Sequence, residues 1–142
     1  MIKDMYKKYK EIINYLFFGF LTVLVTVVTY LFFANVLFTE KNDLTIQIAN
    51  VLSWICAVIF AYFTNRIFVF ESKTTGKKKY KEFINFVLAR VLSLCVDMIM
   101  MYVLYSIIHL NDTISKLIVQ IVVVIINYIL SKLIIFKNVK GT

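Results

Sequence analysis

Four long apolar runs, at 12–38, 44–70, 83–110 and 114–136, leave this chain very few folds to choose from. Crossing roughly 30 Å of hydrocarbon takes about 20 helical residues, and every run is that long. In lipid only helices and closed barrels satisfy their own backbone, and these runs lack the in-out alternation of barrel strands. The expectation is therefore an all-α membrane protein with four transmembrane helices. Composition points the same way: 61% of the 142 residues are hydrophobic, proline is absent and mean hydropathy is +0.84, too apolar for a soluble domain of this size. The first run is too long for a signal-peptide core and no small-residue cleavage site follows it, so it is expected to stay in the membrane.

The connectors "TEKND" and "NDTI" are short, so the first two runs should form one hairpin and the last two another. The longest polar stretch is the middle loop, 71–82. Thirteen cations flank or occupy the termini and this loop: Lys3, Lys7, Lys8, Lys10, Arg66, Lys73, Lys77, Lys78, Lys79, Lys81, Lys132, Lys137 and Lys140. The short connectors and their edges hold only Lys41 and Lys116. That asymmetry predicts cytoplasmic termini and a cytoplasmic middle loop. The net charge of +8 sits beside the spans rather than on a separate soluble domain, which favours anionic lipids or an anionic ligand over nucleic acid. The run "KKKYK" at 77–81 reads as a topology signal and as attraction to headgroups, about 1 kcal/mol per residue near the surface. Cys56 and Cys95 lie in apolar runs and are expected to pack. Phosphate loops, nucleophile elbows, metal-ligand clusters and paired carboxylates are all missing from the sequence, so neither catalysis nor a cofactor nor a metal is expected.

The two halves repeat one another. "KEIINYLFFG" at 10–19 matches "KEFINFVLAR" at 81–90, and "AYFTNRIFVFES" at 61–72 matches "NYILSKLIIFKN" at 127–138. Both halves enter and leave on one side, so they are expected to be parallel two-helix repeats about a pseudo-twofold axis along the membrane normal. Carriers built this way often place their site where the repeats meet. Gly19, whose counterpart in the second half is Arg90, is expected to allow close helix contact.

At these residues the chain resembles the GtrA-like family of small four-span bacterial membrane proteins, which includes teichoic-acid and O-antigen glycosylation proteins. "FFG" at 17–19, "NRIFVF" at 65–70 and "NYILSKLIIF" at 127–136 carry the resemblance, which extends over roughly 11–138. It implies a multi-pass protein of the bacterial cytoplasmic membrane. The implied activity moves a polyprenyl-phosphate-linked sugar across that membrane for use by a membrane glycosyltransferase on the other side. The Asn65–Arg66 pair falls in the first closing motif and Asn127 in the second. Two departures stand out: Phe68 replaces the family's tryptophan, and Ser131–Lys132 replaces its second Asn-Arg pair, where lysine lacks guanidinium's bidentate fork.

The polar residues within the spans allow more than one reading. Arg66 and Lys132 sit at helix C-termini, where a cation is favoured and a long stem can snorkel; the aromatic-rich turn beyond each one fits a cation facing an anion in a hydrated groove instead. Arg90 and Asp97 lie inside the third span, where ionisable groups are functional candidates by default. Seven residues apart on one helical face, they are separated by about 10 Å along the axis, with Asp97 leaning toward Arg90. They read either as a charge pair that fixes packing, or as a phosphate-attracting Arg90 with a deeper Asp97 that meets sugar hydroxyls. Asn14, Asn50, Asn85, Gln120 and Asn127 are candidate interhelical hydrogen-bonders, and Asn127 also aligns with Ser131 one turn on.

The reading that unites these features is a carrier that flips a lipid-phosphate sugar. Arg66, Lys132 and Arg90 gather the phosphate, with Asn65, Asn127 and Asp97 as further substrate contacts, and the polyprenyl tail stays in lipid. A groove that large calls for a second protomer, so a homodimer is expected. The alternative is a non-transporting subunit that anchors or stabilises a glycosyltransferase, and such a scaffold has little use for Arg90 and Asp97.

Overall fold

The computed structural model describes residues 1–40 and 42–136, with the backbone alone at 43, 112 and 113. The cations Lys41, Lys137 and Lys140 of the charge count lie outside the described residues. Among those described, the structure is helical with no strands. Helix α1 spans Ile2–Phe32, α2 Asp43–Thr64, α3 Lys77–Met101 and α4 Asp112–Leu130. Each is continued by a wider, π-helical turn: Phe33–Leu37, Asn65–Val69, Tyr102–Ile107 and Ser131–Ile135, respectively.

All four helices, with their terminal turns, are long and apolar enough to cross a membrane, and the protein is a multi-pass membrane protein. Large aliphatic and aromatic side chains such as Phe20, Val28, Leu117 and Ile121 point outward, as expected where hydrocarbon is the solvent. Hydroxyls within the spans satisfy themselves locally. Thr22, Thr26 and Thr29 donate to carbonyls one turn back at 2.6–3.0 Å, the pattern that makes serine and threonine tolerable in lipid. With its terminal turn, α1 runs 36 residues, Ile2–Leu37, or about 54 Å at 1.5 Å per residue. Its basic first turns therefore extend beyond the apolar span.

The starts of the later helices are locally encoded. Before α2, Asn42 Oδ1 accepts from the Thr45 amide at 2.9 Å while Thr45 Oγ1 accepts from the Asn42 amide at 3.0 Å, a reciprocal cap that satisfies two orphan donors. Before α3, Gly76 has φ of +59°, a conformation glycine adopts without a Cβ clash.

The chain divides into two compact units, Met1–Ser72 and Lys73–Thr142. In the first, α1 packs against α2, and in the second, α3 against α4. The buried face of α2 presents Ala49, Ser53, Ala57 and Ala61, a four-residue spacing of small side chains that suits close helix approach in membranes. Gly19 does not do the same for α1, contrary to expectation: a Cβ built there meets nothing within 4 Å. The motif position faces outward, so the missing side chain leaves no helix contact to make.

The units share a local construction at their closing turns. In the first, Asn14 Nδ2 on α1 donates to the Phe68 carbonyl at 3.2 Å, and the Phe70 amide closes the turn on Asn65 O at 2.8 Å. In the second, Asn85 on α3 and Ile134 line one cleft, and the Phe136 amide closes on Ser131 O at 2.9 Å. The pairs match residue for residue in the internal sequence alignment.

Candidate functional site

In the first unit the candidate residues are Asn65 and Arg66, at the start of the π-helical turn that ends α2. Both are buried, at 4% and 9% exposure. Arg66 Nη1 donates to Ser72 Oγ at 3.3 Å, and the Ser72 amide donates back to Arg66 O at 2.8 Å. The arginine therefore folds under the segment that leaves the helix instead of reaching out toward headgroups. Its neighbour carries a conspicuous cost: Asn65 Oδ1 is buried with no hydrogen-bond partner. An unsatisfied buried acceptor costs about 1–3 kcal/mol. Ser115 Oγ on α4 is the other such atom among the described residues. The Asn65–Arg66 pair sits in the wide turn that ends α2, and the other three helices end in the same kind of turn. Above it, Lys10 Nζ donates to Glu71 Oε1 at 2.9 Å, and that carboxylate, by hydrogen bond and by charge, raises the Lys10 pKa.

The candidates of the second unit do not gather at one point; each has its own partner. Arg90 lies over the Phe86 ring, its guanidinium carbon 4.8 Å from the centroid. It does not pair with Asp97, so the same-helix charge pair weighed from the sequence is not formed. Asp97 is instead held across the hairpin by Lys116 at 3.1 Å to each oxygen, with Gln120 Nε2 at 3.4 Å. Helix pairing explains the difference: two residues about 10 Å apart on one helix lose to a partner brought directly opposite on α4. Asn127, buried, accepts through Oδ1 from Ser93 Oγ on α3, the interhelical bonding its amide suggested. Lys132 is exposed, donates to Tyr128 OH at 3.3 Å and lies 5.6 Å from that ring's centroid. The repeat positions of Arg66 and Lys132 thus differ in environment as well as in chemistry: one cation is buried and the other is outward.

The second unit also contains an open cleft of roughly 290 Å³, which the sequence reading passed over. Lys78, Lys81, Glu82 and Asn85 line it from α3, Thr74 from the segment before that helix, and Ile134 and Ile135 form its apolar side. Glu82 is buried and accepts from Thr74 Oγ1 at 2.9 Å. The signal was available in the sequence: positions 78, 81, 82 and 85 share one helical face. The lysine run had a sufficient explanation in topology, and that explanation hid the face. No group of side chains able to hold a metal ion occurs among the described residues.

The chain has close relatives. It is 39% identical over 128 residues to the cell wall teichoic acid glycosylation protein GtcA of Listeria innocua serovar 6a, covering 89% of this chain and 85% of that protein. It is 36% identical to the protein of the same name from Listeria monocytogenes serovar 1/2a, with the same coverage. Against the uncharacterized membrane protein YwcD of Bacillus subtilis it is 34% identical over 127 residues, 89% of this chain and 96% of that one. No solved structure matches it. Residues 14–136 match the family described as GtrA/DPMS, transmembrane domain, and the chain belongs to that family.

Proposed function

We propose that this protein carries a polyprenyl-phosphate-linked sugar across the bacterial cytoplasmic membrane and delivers it to a membrane glycosyltransferase for cell-wall teichoic-acid glycosylation. The pathway assignment draws on the names of the Listeria relatives. Termini and middle loop face the cytoplasm in this reading, and the protein does no chemistry on its substrate. The two units act as copies of one repeat, and a second protomer completes the groove.

The observation that carries the reading is the buried Asn65–Arg66 pair at the end of α2. A guanidinium supplies charge-assisted donors that match phosphate oxygens, and the unsatisfied Asn65 Oδ1 accepts from a sugar hydroxyl. In the second unit Lys132 and Arg90 supply positive charge of their own toward an anionic headgroup. Asp97 and Asn127, already engaged with Lys116 and Ser93, contribute by shaping the hairpin that the sugar passes.

Purified protein in proteoliposomes, supplied with polyprenyl-phosphate sugar in one leaflet, is expected to move it to the other. Failure to do so, with translocation appearing only when a glycosyltransferase is co-reconstituted, would replace the carrier by the anchoring subunit.

A further inference from the structure

The two hairpins differ in charge where their sequences otherwise repeat. The first holds no acidic or basic residue at 12–38 or 44–64, whereas the spans of the second hold Arg90, Asp97, His109, Lys116 and Lys132. On α3, Glu82, Phe86, Ser93 and Asp97 recur at helical spacing along one face; the first three are buried, and Ser93 and Asp97 both bond to α4. Ionisable groups at membrane depth mark proton relays more often than packing. We infer that this seam is a gated proton path, with Asp97 as the proton-binding group on the side of the short connectors and Glu82 as its counterpart beside the middle loop. The carrier reading above, on which this rests, supplies the cargo that the proton drives.

Asp97 is partly exposed, so water reaches it, and Lys116 and Gln120 face it from α4. The nearest charge on its own helix is Arg90, about two turns away and turned over the Phe86 ring. Cys95 on α3, and Tyr102, Tyr105 and His109 at its end, are exposed. One turn from Asp97, Ser93 donates to Asn127, a hydroxyl that both accepts and donates. Phe86 then interrupts the seam. Its ring is fully buried, 6.3 Å from that of Phe136, and the Arg90 guanidinium lies 4.8 Å over it. An apolar constriction beside an arginine is a barrier to protons. A coupled carrier requires such a barrier, because an open wire would dissipate the gradient without moving cargo. Beyond it stands Glu82, about three turns from Ser93, accepting from Thr74 Oγ1.

Each step moves a proton between oxygens. A proton from water on the connector side forms the O–H bond of Asp97, whose neutral form releases Lys116. When an anionic headgroup draws Arg90 off the Phe86 ring, the proton passes to Glu82 and from there to water beside the middle loop.

Full-length protein in liposomes of neutral lipid, with a pH-sensitive dye inside and the membrane potential clamped at zero, tests this in two arms. Without any sugar lipid, the wild type should hold an imposed pH step, Phe86→Ala should let it decay, and Phe86→Ala with Asp97→Asn should hold it again. An equal leak in the double variant, or none in Phe86→Ala, overturns the path. Where Phe86→Ala does not yield folded protein, Arg90→Gln at its half-buried position takes its place in both variants. With polyprenyl-phosphate-linked glucose, galactose or N-acetylglucosamine present, a gradient of one pH unit should change the steady-state distribution between leaflets about tenfold at one proton per lipid. Asp97→Asn should abolish that response and Lys116→Gln should keep it, although both break the ion pair. A response lost equally in both makes Asp97 a packing residue and overturns the assignment. Wild-type movement of the lipid that ignores the gradient would remove the coupling and leave the carrier. An Asp97-dependent leak in Phe86→Ala, with no lipid movement under either condition, would remove the carrier and leave the proton path.

Discussion

Lys116 on α4 holds Asp97 on α3 with both carboxylate oxygens 3.1 Å from its ammonium, although the two residues stand on opposite helices of an apolar hairpin. The Asp97 side chain is 17% exposed and that of Lys116 49%, so the pair lies between a surface and a buried ion pair. Breaking it should cost about 1–3 kcal/mol, between the roughly 0.2–1 of exposed pairs and the 3–5 of buried ones. Asp97→Asn and Lys116→Gln are each expected to lower the unfolding temperature in detergent, and the double variant to recover part of the loss. Substrate binding should fall only in step with stability. Weaker binding at unchanged stability would make Asp97 a substrate contact.

Arg66 and Lys132 occupy matching repeat positions in unlike surroundings, so exchanging their chemistries should have unlike effects. Arg66→Lys preserves charge and removes the planar fork. Losing one charge-assisted bond of about 1.5–3 kcal/mol should weaken polyprenyl-phosphate-sugar binding about tenfold to a hundredfold, with normal protein abundance. Lys132→Arg, at an exposed site, should be tolerated. Wild-type affinity in both variants would make Arg66 a packing residue tied to Ser72.

Orientation is open to direct measurement. In a background lacking Cys56 and Cys95, cysteines at Asn42 and Asn111 should react with an impermeant thiol reagent in intact cells, and one at Thr75 should not. The reverse pattern would invert the protein and place the lysine-lined cleft outside.

Gly19 sits in a family motif yet faces open space. Gly19→Ala should therefore leave function intact and stabilise α1 by up to about 1 kcal/mol, the helical cost of glycine relative to alanine, read as an unchanged or higher unfolding temperature.

The helices were legible because lipid imposes one rule on every residue of a span, and a continuous apolar run obeys it visibly. Polar partners were less so. Asn127 and Ser93 meet because two helices face each other, and Asp97 finds Lys116 in place of Arg90 for the same reason; neither contact is local in sequence. The π-helical turn after Thr64 was invisible, since a change of hydrogen-bond span from four residues to five leaves no mark in residue type. The Asn65–Arg66 pair was picked out by its motif, but its burial was not, because a cation at a helix end is equally at home in water. Lys78, Lys81 and Asn85 were read separately, as charge and as glue, until the fold set them along one cleft.

The length of α1 determines how the protein meets bilayers of different thickness. A helix of about 54 Å crossing about 30 Å of hydrocarbon has turns to spare, but those turns are not interchangeable with the span. Lys3, Lys7 and Lys10 recur along one face of the first turns, and Lys10 is tied to Glu71 at the end of the first unit. A thicker membrane cannot draw these turns inward without stripping water from that ion pair. Hydrophobic mismatch is then absorbed by tilt and by deformation of the surrounding lipid, while the Lys10–Glu71 clasp ties the basic end of α1 to the end of the first unit.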